Sequence, residues 1–251
     1  MKQNIIYALD FDGVICDSAV ETAITGWKAA SKLWDDINTA LPSQALIEQF
    51  RLVRPLLETG YESILIIRLL HNGETVEALL ADYANKIQQT LDNLNQEVSF
   101  LKKLFGETRD NWINQNLDEW IRMNPLFPSI AEKLQALNQE STWYIITTKQ
   151  ERFVTQILTA AQIELAEEKI FGLDRNMSKE AVLTELLAKH PQQDFYFVED
   201  RLPTLFNVLA NDKLKSIKLF FARWGYNTKQ DKQQASEQPH FELIDIADFL
   251  R

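Results

Sequence analysis

Two aspartates stand two residues apart in Ile5-Ile6-Tyr7-Ala8-Leu9-Asp10-Phe11-Asp12-Gly13-Val14, directly after an apolar run. Carboxylates crowded on one short loop repel each other unless positive charge lies nearby. Magnesium takes hard oxygen ligands, typically one or two carboxylates with waters and substrate phosphate. Gly13 permits a sharp turn behind the acids. An isolated Asp-x-Asp is more often a solvated acidic loop or a helix N-cap, so other residues must decide the matter.

Phe195-Tyr196-Phe197-Val198-Glu199-Asp200 repeats the pattern of an apolar run ending in acids. Thr147 and Thr148 follow Trp143 to Ile146, offering hydroxyls that can bond a phosphate oxygen. Lys179 begins a helical pattern after Asn176-Met177-Ser178, bringing an ammonium within reach of the same cleft.

Those residues must be placed by the elements behind them. Ile5 to Leu9, Trp143 to Ile146, Phe195 to Val198 and Ile217 to Phe221 are short apolar runs, with Lys169 to Phe171 a weaker one. Runs without alternation suit strands buried on both faces of a parallel sheet. Helical patterns lie between them: Ser129 to Asn138, Glu151 to Ala161, Ser178 to Lys189 and Pro203 to Asn211. Alternating strands and helices predict an α/β fold with a Rossmann-like parallel sheet.

Residues 17–124 break the alternation and show helical periodicity alone, over Ser18 to Trp34, Ser43 to Glu58, Tyr61 to Leu70, Glu74 to Leu94 and Arg109 to Met123. Pro55 should kink or restart the second of these. Asn124-Pro125-Leu126-Phe127-Pro128 is a stiff return linker. The expected organisation is an α/β core of 1–16 and 125–251 with an all-helical cap, 17–124, inserted after the first strand. Open α/β sheets bind ligands at the carboxyl ends of their strands, so an insertion there has the geometry of a lid.

Composition narrows the partners. The 251 residues are 45% hydrophobic, enough for a substantial core, and 36 acidic against 26 basic residues give a net charge of −10. That excess repels nucleic-acid backbones and anionic membrane surfaces, so neither is expected as a partner. Cys16 is the single cysteine, which excludes an internal disulfide and fits a reducing compartment. The longest apolar candidate for a membrane span, Ile64 to Leu70, is short and interrupted by Arg68. A cytoplasmic protein is expected.

The motifs together resemble the haloacid dehalogenase-like hydrolase superfamily, in its phosphatase and phosphomutase branch. Asp10-Phe11-Asp12-Gly13-Val14-Ile15-Cys16-Asp17-Ser18 matches the first motif. Ile145-Ile146-Thr147-Thr148-Lys149 matches the second, Lys179 fits the third, and Val198-Glu199-Asp200-Arg201 fits the Glu-Asp form of the fourth. Ala222-Arg223-Trp224-Gly225-Tyr226-Asn227 is also similar to these phosphatases. The resemblance implies a Mg²⁺-dependent phosphatase for a small phosphorylated metabolite. In it Asp10 is the nucleophile and Asp12 the general acid and base. Thr147, Thr148 and Lys179 bind phosphoryl oxygens. The metal is held by the Asp10 carboxylate, the Asp12 backbone carbonyl, Glu199 and Asp200. Thr204 stands where many relatives carry another acid. A phosphomutase of the β-phosphoglucomutase type, and a non-catalytic phospholigand-binding protein on the same fold, are the alternatives.

Other conspicuous residues have plainer expectations. Cys16 reads as a small buried apolar side chain. His71, His190 and His240 lack ligand spacing. Trp112 and Trp120, with Ile113 and Leu117, read as one packing stripe. Arg51 and Arg54 could grip an anion but read better as solvated helix charges. The polar stretch Lys229 to Gln238 reads as a surface loop.

Overall fold

The computed structural model describes residues 5–251 and divides into two compact units, one running up to Asp17 and resuming over Pro125–Arg251, the other Ser18–Asn124. The first is α/β. Its six parallel strands are β1 (Ile5–Leu9), β2 (Thr142–Ile146), β3 (Ile170–Phe171), β4 (Asp194–Glu199), β5 (Lys218–Ala222) and β6 (Phe241–Ile244), in the order β3-β2-β1-β4-β5-β6. The two strands flanking β1 are thus far from it in sequence, and the insertion leaves the chain directly after the central strand.

Apolar strand residues bury the sheet. Ile6, Ala8, Phe195, Phe197, Leu219 and Phe221 join one cluster with Val182, Leu183 and Leu186 of α8 (Lys179–Lys189) and Leu202, Leu205 and Val208 of α9 (Leu202–Leu209). Period-two alternation sends Trp143 and Ile145 to the opposite face from Tyr144 and Ile146, and all four are buried. There α6 (Ile130–Glu140) lies against β2, and α7 (Glu151–Ala160) against β3.

Lys229 to Gln238 is no loop: Lys229–Ser236 forms α10, started by a reciprocal capping box between Thr228 and Asp231. Such a cap satisfies two terminal N–H groups and lets a polar stretch hold a helix. Beyond it lie β6 and a last turn, α11 (Ile246–Phe249), neither expected from the pattern.

The second unit is helical: α1 (Ala19–Ala30), α2 (Gln44–Val53), α3 (Glu62–His71), α4 (Val76–Leu94) and α5 (Val98–Arg122). Ile64, Leu65, Ile66 and Ile67 of α3 are all fully buried, and they share a core with Trp27, Phe50, Leu101 and Phe105. A helix with such a broad apolar face packs deep in its bundle, leaving its charged residues at the rim. Pro55 does interrupt the second helix, and Arg54–Leu56 tightens into a 3₁₀ turn.

Helix α5 begins well before the expected Arg109 and leaves helical geometry at Asn116 (φ −158°, ψ 82°). That break resets the helical phase, so the single stripe fails: Trp112 and Trp120 are buried, but Leu117 is exposed. Arg51 is exposed as expected, whereas Arg54 is buried and donates from Nη1 to the Leu57 carbonyl at 3.3 Å. The buried side chain of Cys16 agrees with its reading.

Candidate active site and metal centre

Strand register explains why distant acids meet. Leu9 pairs with Val198 across β1 and β4, and with Ile145 across β1 and β2. Asp10 and Glu199 therefore end adjacent strands side by side, and Asp10 donates its N–H to the Val198 carbonyl at 3.0 Å. Thr147 ends β2 on the other side, its N–H bonded to the Phe171 carbonyl. Parallel strands direct all these residues to one sheet edge.

Carboxylate oxygens of Asp10, Glu199 and Asp200 lie within 4.8 Å of one another, and all three residues are buried. Into this group comes Lys179, first residue of α8. Its Nζ stands 2.6 Å from Asp10 Oδ1 and 2.7 Å from Glu199 Oε2. The helix start is set by Ser178, whose hydroxyl accepts the Ala181 N–H. Ser/Thr caps fix a helix's first turn, so Lys179 emerges from a defined backbone position.

Burial disfavours charge on Asp10 and drives its carboxyl up to about 7. Lys179 opposes that shift, while the Glu199 and Asp12 charges reinforce it. Burial also works against the Lys179 ammonium. The Asp10 and Glu199 carboxylates outweigh that cost and hold Lys179 above the ordinary lysine value.

Glu199 and Asp200 are fixed by backbone donors. Glu199 Oε1 accepts the N–H groups of Asp200 and Arg201. Asp200 Oδ2 accepts the Tyr226 N–H, and the Asn227 side-chain amide donates to the Asp200 carbonyl. Gly13, at φ +99°, lies so close that a β-carbon there would fall 2.0 Å from Asp200 Oδ2. The donor set is hard oxygen throughout, which fits a magnesium ion held by carboxylates.

Three residues beyond the expected site hold this arrangement together. Lys149, two residues after Thr147, extends a fully buried side chain to Asp12 Oδ1 at 2.9 Å. Its backbone N–H bonds Thr147 Oγ1 at 3.1 Å. On the loop after β5, Trp224 Nε1 donates to the Val14 carbonyl and the Tyr226 hydroxyl to Asp17 Oδ1. The signal for Lys149 was its place between a strand end and a helix, where its charge had no helical face to occupy. Thr148 is half-buried beside it, and Thr204 is half-buried on α9, outside the three-carboxylate group. Among the histidines, His190 bonds Tyr144 Oη and Gln193 at the end of α8, His71 faces Asp36, and His240 is exposed.

No protein-family model matches the sequence, and no curated protein matches it. Solved structures do. A predicted phosphatase from Clostridium acetobutylicum is similar over 100% of this chain and 97% of its own, with TM-score 0.58 at 14% identity. A predicted phosphoglycolate phosphatase from Haemophilus somnus covers the same shares, with TM-score 0.58 at 20% identity. A haloacid dehalogenase-like family hydrolase from Streptococcus pneumoniae is similar over 98% of this chain and 97% of its own, with TM-score 0.53 at 17% identity. The α/β sheet, with a helical region inserted after its first strand, is the fold of the haloacid dehalogenase-like hydrolases.

Proposed function

We propose that the protein is a Mg²⁺-dependent phosphatase that hydrolyses a small phosphorylated metabolite through an aspartyl-phosphate. The observation that carries this reading is Asp10 held by Lys179 at 2.6 Å beside the buried carboxylates of Glu199 and Asp200. Asp10 attacks phosphorus as the ester P–O bond breaks, dividing one displacement into two easier ones. Asp12 gives its proton to the departing alcohol, then takes a proton from the water that hydrolyses the acyl-phosphate. Lys179 offsets charge on the transferring phosphoryl group, and the Thr147 and Thr148 hydroxyls bind its oxygens. Asp10, the Asp12 carbonyl, Glu199 and Asp200 would hold Mg²⁺, which supplies charge neutralisation at the phosphoryl oxygens. The similarity to a predicted phosphoglycolate phosphatase makes phosphoglycolate the first substrate to try.

The test is phosphate release from p-nitrophenyl phosphate and phosphoglycolate, with and without Mg²⁺, by wild type and Asp10→Asn. Metal-dependent turnover that disappears in a folded Asp10→Asn protein is the expected result. Turnover preserved in that variant would remove Asp10 from the chemistry. An isomerised sugar phosphate without free phosphate would make the protein a mutase.

A further inference from the structure

Lys149 has no part in the chemistry just described, yet it spends a buried charge at the site's edge. Its side chain is fully buried and ends on Asp12 Oδ1, while the Asp12 side chain keeps 16% of its surface exposed. The lysine backbone is immobilised at both polar atoms: N–H to Thr147 Oγ1, and carbonyl accepting the Leu173 N–H at 3.1 Å. Gly172 stands over that carbonyl with no room for a β-carbon, which would lie 2.4 Å from it. The ammonium therefore reaches Asp12 from a rigid base. Taking an ammonium out of water is costly, and only a well-placed partner repays it.

We propose that Lys149 is the positioning residue for Asp12: it ties the general acid to the strand end that bears Thr147, so that proton donor and phosphoryl-binding hydroxyl keep one fixed spacing. The inference rests on the phosphatase reading and extends it. A lysine acting through the acid affects the step in which the acid works, loss of the alcohol. Alkyl esters need that proton; p-nitrophenolate leaves without it.

The experiment measures kcat/KM, which reports that first irreversible step, for an alkyl phosphate and for p-nitrophenyl phosphate. Wild type, Lys149→Met, Asp12→Asn and the double variant are compared. Lys149→Met is expected to lose about tenfold or more on the alkyl ester beyond its loss on the aryl ester. Asp12→Asn should show the same bias, and the double variant should be no slower than Asp12→Asn alone. Equal losses on both esters, or losses that multiply in the double variant, would overturn the positioning role while leaving the phosphatase standing. Lys149→Gln replaces the Met variant if that one does not fold. Wild type inactive on both esters would remove the phosphatase reading and this role with it. Thermal midpoints of the four proteins read the ion pair without turnover: midpoint losses that simply add would overturn the pairing itself.

Discussion

Gly225 touches Asp200 so closely that a β-carbon at 225 would lie 2.4 Å from Asp200 Cβ and 2.4 Å from the Gly13 carbonyl oxygen. The loop after β5 is thereby wedged between the loop after β1 and Asp200, the acid just past β4. Its next residue, Tyr226, uses that proximity to donate its N–H to Asp200.

Gly225→Ala should accordingly disturb the site through packing alone. Overfilling a close-packed region costs about 1–3 kcal/mol, and the atoms in the way here include backbone. A lowered denaturant midpoint with weakened Mg²⁺ binding is expected. A variant with wild-type midpoint and wild-type Mg²⁺ affinity would show that the loop yields without effect.

Asp200→Asn tests the proposed metal site without requiring turnover. Asp200 contributes a carboxylate oxygen to the three-residue group, and an amide in its place removes the negative charge. Even outer-sphere changes cost metal sites 10–100-fold in affinity, so loss of a ligand charge should weaken Mg²⁺ by about tenfold or more. Calorimetric titration of the two proteins measures it. Equal affinities would take Asp200 out of the ligand set.

What could be read from the sequence follows from how local each signal is. Ile5–Leu9 matches β1 residue for residue, because a buried central strand needs an unbroken apolar run and acids stop it. Lys179 is legible because its helix start is written in the adjacent Ser178. The edge strand β6 is not legible: it is four residues long, pairs on one side, and interrupts its apolar run with Glu242. The Lys149–Asp12 pair was invisible for another reason. Its partners lie 137 residues apart, and nothing local to either says that β1 and β2 are neighbours.

The helical unit offers a pH measurement. Arg68 Nη1 donates to both Asp36 oxygens, at 2.7 and 2.6 Å, and these bonds hold the Asp36 carboxyl below its ordinary value. A carboxyl depressed in the folded state contributes stability above its unfolded pKa and loses it as pH falls through the folded one. Arg68→Ala should therefore move the Asp36 titration upward, toward the ordinary carboxylate range. Carboxyl carbon NMR reads the midpoint directly, and an unmoved midpoint would take Arg68 out as the cause.

Glu21 carries the heaviest burden in that unit. It is fully buried on α1 and accepts both Nε and Nη2 of Arg109 on α5, at 2.8 and 2.6 Å. Trp120 Nε1 and the Thr25 hydroxyl donate to it as well. Breaking such a pair from one side leaves the other charge stranded in a low-dielectric interior, at about 3–5 kcal/mol. Arg109→Leu alone should thus be severely destabilising. Replacing both residues by leucine removes the stranded charge and should recover much of that loss, although Trp120 then lacks its acceptor. Urea unfolding of both variants checks the order. A double variant less stable than Arg109→Leu would mean that Glu21 serves Trp120 and Thr25 more than it serves the arginine.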